Sequence, residues 1–281
     1  MTLAGLLLVA LTACAVHLAP PPAPVVHPSL AVGSWLDASA DTQPFTTFIT
    51  IWISCDEPVP AIVRDGRRIL WFASLFTYGP TPRSRTGYAL RPDYVSCWQQ
   101  ERAIIRATAI AGDELGIHLL DEPEAVAYGD RGATYDPNLY NADITAAAAI
   151  IHADFPAAIV SINYGAVPDG LQVPAGLGRV ALEAYDADWR AKLAALEALT
   201  PAPIWIMPRA FLHAGDMTDA AAAQQLRDQA AYAQTDPRVT GLYWFLWCCD
   251  DVVTGDKSFY SVSGGQLPLT LAAVKAIGPR P

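Results

Sequence analysis

The sequence predicts an α/β fold, a single (β/α)8 TIM barrel with irregular first two β/α units. Three observations predict it. Apolar, β-branched runs of strand length recur about eight times along the chain. Helical patterns separate the later runs, and helical crossovers join parallel strands. No glycine-rich phosphate loop follows the first run, which disfavours an open dinucleotide-binding sheet. At 281 residues and 52% apolar composition, the chain is long and apolar enough for one large domain with a full core.

The elements follow in order. The first strand, residues 31–36, runs into Asp37. Residues 47–54 (TFITIWIS) are β-branched and aromatic, as strands prefer, and residues 69–76 (ILWFASLF) form the third run. Residues 78–92 are punctuated by glycine and proline and read as a long loop. A helix is expected over 93–112, where Ala103, Ile104, Ala107 and Ile110 share one face. The fourth strand, 117–120, ends in Asp121-Glu122-Pro123, because proline cannot continue a hydrogen-bond ladder. An alanine-rich helix over 142–153 precedes the fifth strand, 158–163, and the sixth, 180–185, enters Asp186. The helix from 189 to 199 is stopped by Pro201, and the seventh strand spans 203–208. Thr218 or Asp219 caps a helix over 219–234. The eighth strand, 241–247, and a closing helix, 269–277, complete a domain placed at 31–281, with no internal repeat.

The first thirty residues have a different logic. Residues 3–11 are apolar but too few to span a bilayer as a mature helix, and they match the core of an export signal. Leu11-Thr12-Ala13-Cys14 resembles a bacterial lipobox, which implies a signal peptide over 1–14 and lipidation of Cys14. Residues 15–30 are proline-rich and suit a semi-rigid tether. The expected location is therefore the bacterial cell envelope, exported and anchored to a membrane through Cys14. A cleaved signal peptide with an incidental cysteine is the alternative. Export permits disulfides, and Cys248 and Cys249 are expected to bridge outward to Cys55 and Cys97, since a vicinal bridge is strained.

Charge and composition narrow the chemistry. A formal charge of −10 argues against nucleic acid as a partner. Five histidines, with no His-x-His or His-Glu-x-x-His spacing, offer no metal centre, and no cofactor is expected. Eight Trp and eleven Tyr suit stacking on sugar rings, or an aromatic core.

Barrel active sites collect at the C-terminal ends of the strands. Strand alternation puts Ser161 and Asn163 inward and Val160 and Ile162 toward the helices. If Glu122 points into the mouth, His118 and Leu120 share its face and Asp121 points away. Other strand ends carry Glu183, Tyr185, Asp186 and Asp188, then Arg209, then Trp244 and Trp247. Trp35, Asp37, Asp121, Asn163, Tyr164, Glu183, Tyr185, Arg209, Trp244 and Trp247 are thus candidate carbohydrate-binding residues. Each has a plainer reading: Trp247 as core, His118 as a packed barrel histidine, Glu122 as a cap on the next helical turn, and Arg209 as an ion-pair partner of Asp186.

Asp121-Glu122-Pro123 at the end of the fourth strand resembles the Asn-Glu-Pro signature of the large glycoside hydrolase clan of TIM barrels. The form Leu-Leu-Asp-Glu-Pro-Glu also resembles a looser group of bacterial glycosidase-like barrels. The first resemblance implies that Glu122 is the general acid. It also implies a nucleophilic Glu at the end of the seventh strand, where this chain reads Ile204-Trp205-Ile206-Met207-Pro208-Arg209. The second carboxylate is therefore sought elsewhere, with Asp186 the best candidate and Glu183, Asp188 and Asp37 behind it. A glycoside hydrolase is the leading expectation. A glycan-binding barrel without catalysis, in an envelope or polysaccharide-export assembly, is the other.

Overall fold

In the computed structural model, the described residues are 30–34, 46–56, 68–78, 88–108, 114–126, 136–209, 211–213, 217–244, 259–261 and 267–277. Residues 1–29 of the signal and tether, Trp35, Asp37, Trp247, Cys248 and Cys249 lie outside them.

Eight strands form one sheet: β1 (Ala31–Ser34), β2 (Phe48–Ile53), β3 (Arg68–Ala73), β6 (Gly116–Asp121), β7 (Ile159–Tyr164), β8 (Arg179–Glu183), β9 (Ile204–Met207) and β11 (Val239–Trp244). Every pairing in it is parallel, in the order β1-β11-β9-β8-β7-β6-β3-β2. All eight expected strands are present in sequential spatial order. The sheet curls strongly. Its two edge strands, β1 and β2, approach within 8 Å between Cα atoms. The ring of Phe48 on β2 lies 4.8 Å from that of Trp205 on β9, across the inside of the curl.

The helices α1 (Tyr94–Thr108), α2 (Pro123–Val126), α3 (Asn141–Asp154), α4 (Trp189–Leu199), α5 (Asp219–Ala233) and α6 (Pro268–Ile277) alternate with the later strands. Helix α4 has the expected bounds, and Thr218 caps α5 by accepting from the Ala221 amide at 3.2 Å. Between β1 and β3 no helix occurs among the described residues.

Two antiparallel strand pairs were not legible as such. The segment expected to be a loop carries β4 (Phe76–Tyr78) paired antiparallel with β5 (Tyr88–Leu90). Farther on, β10 (Phe211–His213) pairs with β12 (Phe259–Ser261).

Alternation divides the core in two. Outward residues such as Ile117, Val160, Ile162, Val180, Leu182, Ile204 and Ile206 pack against the helices. Inward residues Phe48, Leu70, Phe72, Ala181, Trp205, Met207 and Tyr243 fill the inside of the curl. Trp244 is fully buried with Leu212, Ala222, Ala223 and Leu226, so it is a core residue and not a sugar platform. The reason is its parity: Tyr243 points in, so Trp244 points out.

The disulfide expectation is corrected. Cys55, just after β2, is bonded to Cys97 on α1, a separation of 42 residues. Closing a loop of that length restricts the unfolded chain, so Cys97→Ser is expected to cost about 4 kcal/mol in denaturant unfolding. An unchanged unfolding midpoint, with or without reductant, would show that the bridge contributes nothing.

Candidate active site

The strand ends at one pole of the curl bring three carboxyl groups together. Asp121 ends β6, Glu122 follows it, and Glu183 ends β8. Between them stands Asn163 on β7, completely buried. Its amide nitrogen donates to Asp121 Oδ1, and to Glu183 Oε1 at 2.9 Å. With both amide hydrogens committed to carboxylates, Asn163 Oδ1 must accept, and His118 Nε2 donates to it at 3.0 Å. Asp121 and Glu122 lie beside the Glu183 carboxyl, and both raise its proton affinity.

Asp121 reaches this cluster through an irregularity that strand alternation does not anticipate. On β6, His118 pairs with Ser161 but Asp121 pairs with Asn163. Three residues on one strand are matched by two on the other, a β-bulge that reverses the side-chain phase. Leu119 and Leu120 therefore both enter the outer core, and Asp121 joins His118 inside. The expectation that Asp121 points away is thereby corrected. The β4–β5 hairpin braces this turn, because Tyr88 Oη donates to the Asp121 carbonyl at 2.7 Å.

Glu122 has φ +44°, and among the described residues it is the non-glycine residue with positive φ. That conformation is costly for a side chain with a Cβ and persists where surrounding contacts enforce it. Here the Glu122 amide donates to the Asn163 carbonyl at 3.0 Å. The Glu122 side chain crosses directly over Gly165, where a Cβ would sit 1.9 Å from Glu122 Oε1. Gly165 is in turn held by Glu124, whose Oε1 accepts from the amides of Gly165 and Ala166 at 2.7 and 2.8 Å.

The electrostatics follow from crowding. Burial pushes Glu183 far above the usual carboxylate range, and Asp121 and Glu122 push it further. Asp121 is raised by its enclosure and then by Glu122, against the Asn163 bond, which lowers it. The cluster thus keeps a proton at neutral pH. Burial drives His118 down to about 3, so it is a neutral hydrogen-bond donor and not a base. Burial raises Tyr185 as well, and the Glu183 charge adds to this.

The remaining candidates are placed as follows. Asp186 is exposed at the rim, and its ion pair is with Lys192 at 2.6 Å, not with Arg209. Arg209 lies over the Tyr185 ring at 5.7 Å, and Tyr185 Oη donates to Met207 Sδ at 3.0 Å. Tyr164 is buried in the outer core, because Asn163 before it points in. The carboxyl beside Glu122 is therefore Glu183 rather than Asp186.

Sequence reasoning missed Trp52. It shares the inward parity of Phe48 and Thr50 at the end of β2, and its side chain is 53% exposed. It stacks on Phe72 at 5.9 Å and 15°. Together with His118, Tyr88 and Asp121 it lines a cavity of about 90 Å³. Alternation within β2 carried the signal.

Among the described residues, the one grouping of His, Cys, Asp and Glu close enough to hold a metal is Cys55, Cys97 and Glu101, and both sulfurs belong to the disulfide. No helix among them is long and apolar enough to cross a membrane.

No family model matches the chain, and no curated protein sequence matches it. Solved structures do. A GH113 β-1,4-mannanase is 10% identical with a TM-score of 0.52, over 89% of this chain and 98% of that one. A GH128 subgroup I endo-β-1,3-glucanase from Amycolatopsis mediterranei, in complex with laminarihexaose, is 14% identical with a TM-score of 0.54, over 89% of this chain and all of that one. At such identities the likeness is one of fold: a curled parallel α/β sheet like that of TIM-barrel glycoside hydrolases.

Buried carboxyls give a pH prediction. Burial raises Glu101 and Glu124 from 4.5 to about 7. An acid raised on folding adds most stability below its unfolded value, and that stability is lost as pH climbs through its folded value. The melting temperature is therefore expected to fall between pH 4.5 and 7. Glu124→Gln, whose carbonyl oxygen can keep both backbone bonds, should flatten that slope by one proton. An identical slope in this variant would show that Glu124 does not carry the proton.

Proposed function

We propose that this chain is an exported glycoside hydrolase acting on an envelope or environmental polysaccharide. The observation that carries this reading is the Asp121, Glu122 and Glu183 carboxyl cluster at the C-terminal pole of the curled parallel sheet. Such poles hold the active sites of barrel enzymes. The mannanase and the glucanase of like fold lend support. We further propose that the sheet closes as a full (β/α)8 barrel, and that Cys14 anchors the protein to a membrane.

In this reading Glu122 donates a proton to the leaving glycosidic oxygen. Asp121 and Glu183 set the proton affinity of the cluster, and neutral His118 fixes Asn163 between them. Asp121 and Glu183, bridged by one amide nitrogen, are too close for one to attack the anomeric carbon while the other protonates the leaving oxygen. Retention needs about 5–5.5 Å and inversion about 6.5–9.5 Å. The cluster is thus one proton-donating unit. The group that attacks, or that activates water, is Asp186 at the rim or Asp37. Trp52 offers its face to a sugar ring beside the acid.

A glycan-binding protein without catalysis is the second reading. The observation favouring it is Met207 at the end of β9, packed against Tyr185, where the resembled clan keeps a nucleophilic Glu.

The test is release of reducing ends from β-1,3-glucan and β-1,4-mannan by the purified protein. Glu122→Gln is expected to lower kcat by about 10²–10⁴-fold. Trp52→Ala should raise KM more than it lowers kcat. Unaltered kcat in Glu122→Gln would overturn the assignment. Polysaccharide binding without any hydrolysis would select the second reading.

A further inference from the structure

The carboxyl cluster makes no use of Glu101, which α1 buries completely beside the Cys55–Cys97 bridge. Just past β3, the Ser74 amide and hydroxyl donate to Glu101 Oε1 at 2.9 and 2.6 Å. The same oxygen lies 3.7 Å from Cys97 Sγ. Both bridge sulfurs and a Glu101 oxygen lie within 4.8 Å of one another. Glu101 Oε2 is buried without a hydrogen-bond partner. An ionised carboxylate is costly in such a place, so the acid holds its proton. The charged groups facing it are Arg91, just ahead of α1, and Asp56, just after β2. Arg91 lowers its proton affinity, Asp56 raises it, and burial outweighs both, holding the acid at about 7.

The bridge is asymmetric. Cys97 is fully buried, whereas Cys55, in the segment leaving β2, is partly exposed. A thiolate arriving from solvent meets Cys55 first, and Cys97 is then the sulfur that must leave. A sulfur leaves slowly when its own proton affinity is high, and burial raises that affinity. A neighbouring acid that hands over its proton removes this obstacle.

We propose that the Cys55–Cys97 bridge is a thiol–disulfide exchange site for low-molecular-weight thiols, with Glu101 as its proton donor. The external thiolate attacks Cys55 Sγ. A new sulfur–sulfur bond forms there as the Cys55–Cys97 bond breaks, and the electron pair goes to Cys97 Sγ. Glu101 passes its proton to that sulfur and becomes a carboxylate. A second external thiolate attacks the outer sulfur of the mixed disulfide and leaves as the external disulfide. Cys55 is freed as a thiolate and takes a proton from water. The two electrons come from the two external thiols. In reverse, ionised Glu101 takes the Cys97 proton, and the Cys97 thiolate attacks Cys55 Sγ and expels the external thiolate. The site shares no residue with the carboxyl cluster and is independent of the polysaccharide reading.

The test exposes the full-length protein to reduced glutathione from about pH 6 to 9, with rates expressed per thiolate. Samples are quenched in acid and alkylated, and peptide mapping distinguishes Cys55 from Cys14, Cys97, Cys248 and Cys249. Near-ultraviolet circular dichroism follows the fold. Glutathione is expected on Cys55, with a free thiol at Cys97, while the protein stays folded. The rate per thiolate should fall at least about tenfold as pH climbs through about 7. Glu101→Gln keeps an acceptor for both Ser74 bonds but has no proton to give. It should react about 10²-fold more slowly at about pH 6, at a rate per thiolate that no longer varies with pH. The parent's pH profile tests the proton donor even where Glu101→Gln does not fold. The proposal is overturned by opening of the bridge only at the rate of global unfolding, or by glutathione on Cys97. A parent rate per thiolate indifferent to pH, or a folded Glu101→Gln as fast as the parent, overturns it equally.

Discussion

One buried amide organises the carboxyl-rich end of this protein. Asn163 has two hydrogens and one acceptor oxygen, and each has a single role. The hydrogens draw Asp121 and Glu183 together, and the oxygen is fixed by His118. Without that bridge, two carboxyls in a low-dielectric strand layer would repel one another and seek water. With it, they can sit side by side and hold a proton between them. Burial keeps His118 neutral, so it adds no positive charge to lower that proton affinity. The surrounding groups serve the same arrangement. Gly165 leaves room for Glu122, Glu124 holds Gly165, and Tyr88 holds the backbone of Asp121.

The inside of the curled sheet separates two poles of different chemistry. Its middle is a buried apolar cluster that includes Phe48, Phe72, Trp205 and Tyr243. One pole concentrates negative charge and protons. The other sets Arg179 against Glu114 and Trp205. The apolar plug keeps them apart, so each can be altered with little effect on the other. Substitutions more than about 7–10 Å apart usually act additively.

Much of this was legible in the residue pattern. All eight sheet strands appear as apolar runs between turn residues, and α4 and α5 are bounded by Pro201 and by Thr218 as their stop and cap chemistry requires. Alternation also placed Asn163 and Ser161 inward. It failed at Asp121, because a bulge leaves no mark in the alternation of six residues. The strand pattern gave no sign of Lys192, one turn into α4, which pairs with Asp186 at the rim, nor of Glu183 lying beside Asp121. Trp244 looked like a platform because strand-end aromatics were weighed without their parity. The Cys55–Cys97 bridge depends on how α1 lies against β2, a tertiary fact that cysteine spacing does not encode.

The account depends most on the claim that Asp121 and Glu183 hold a proton in common at neutral pH. Carboxyl-carbon NMR of protein labelled at Asp and Glu, titrated from about pH 3 to 9 and assigned with Asp121→Asn and Glu183→Gln, measures this directly. The expected result is one cluster carboxyl still protonated at about pH 7, with the steps of its neighbours coupled to it. Independent ionisation of Asp121 and Glu183 near about pH 4, the ordinary range for exposed carboxylates, would contradict it.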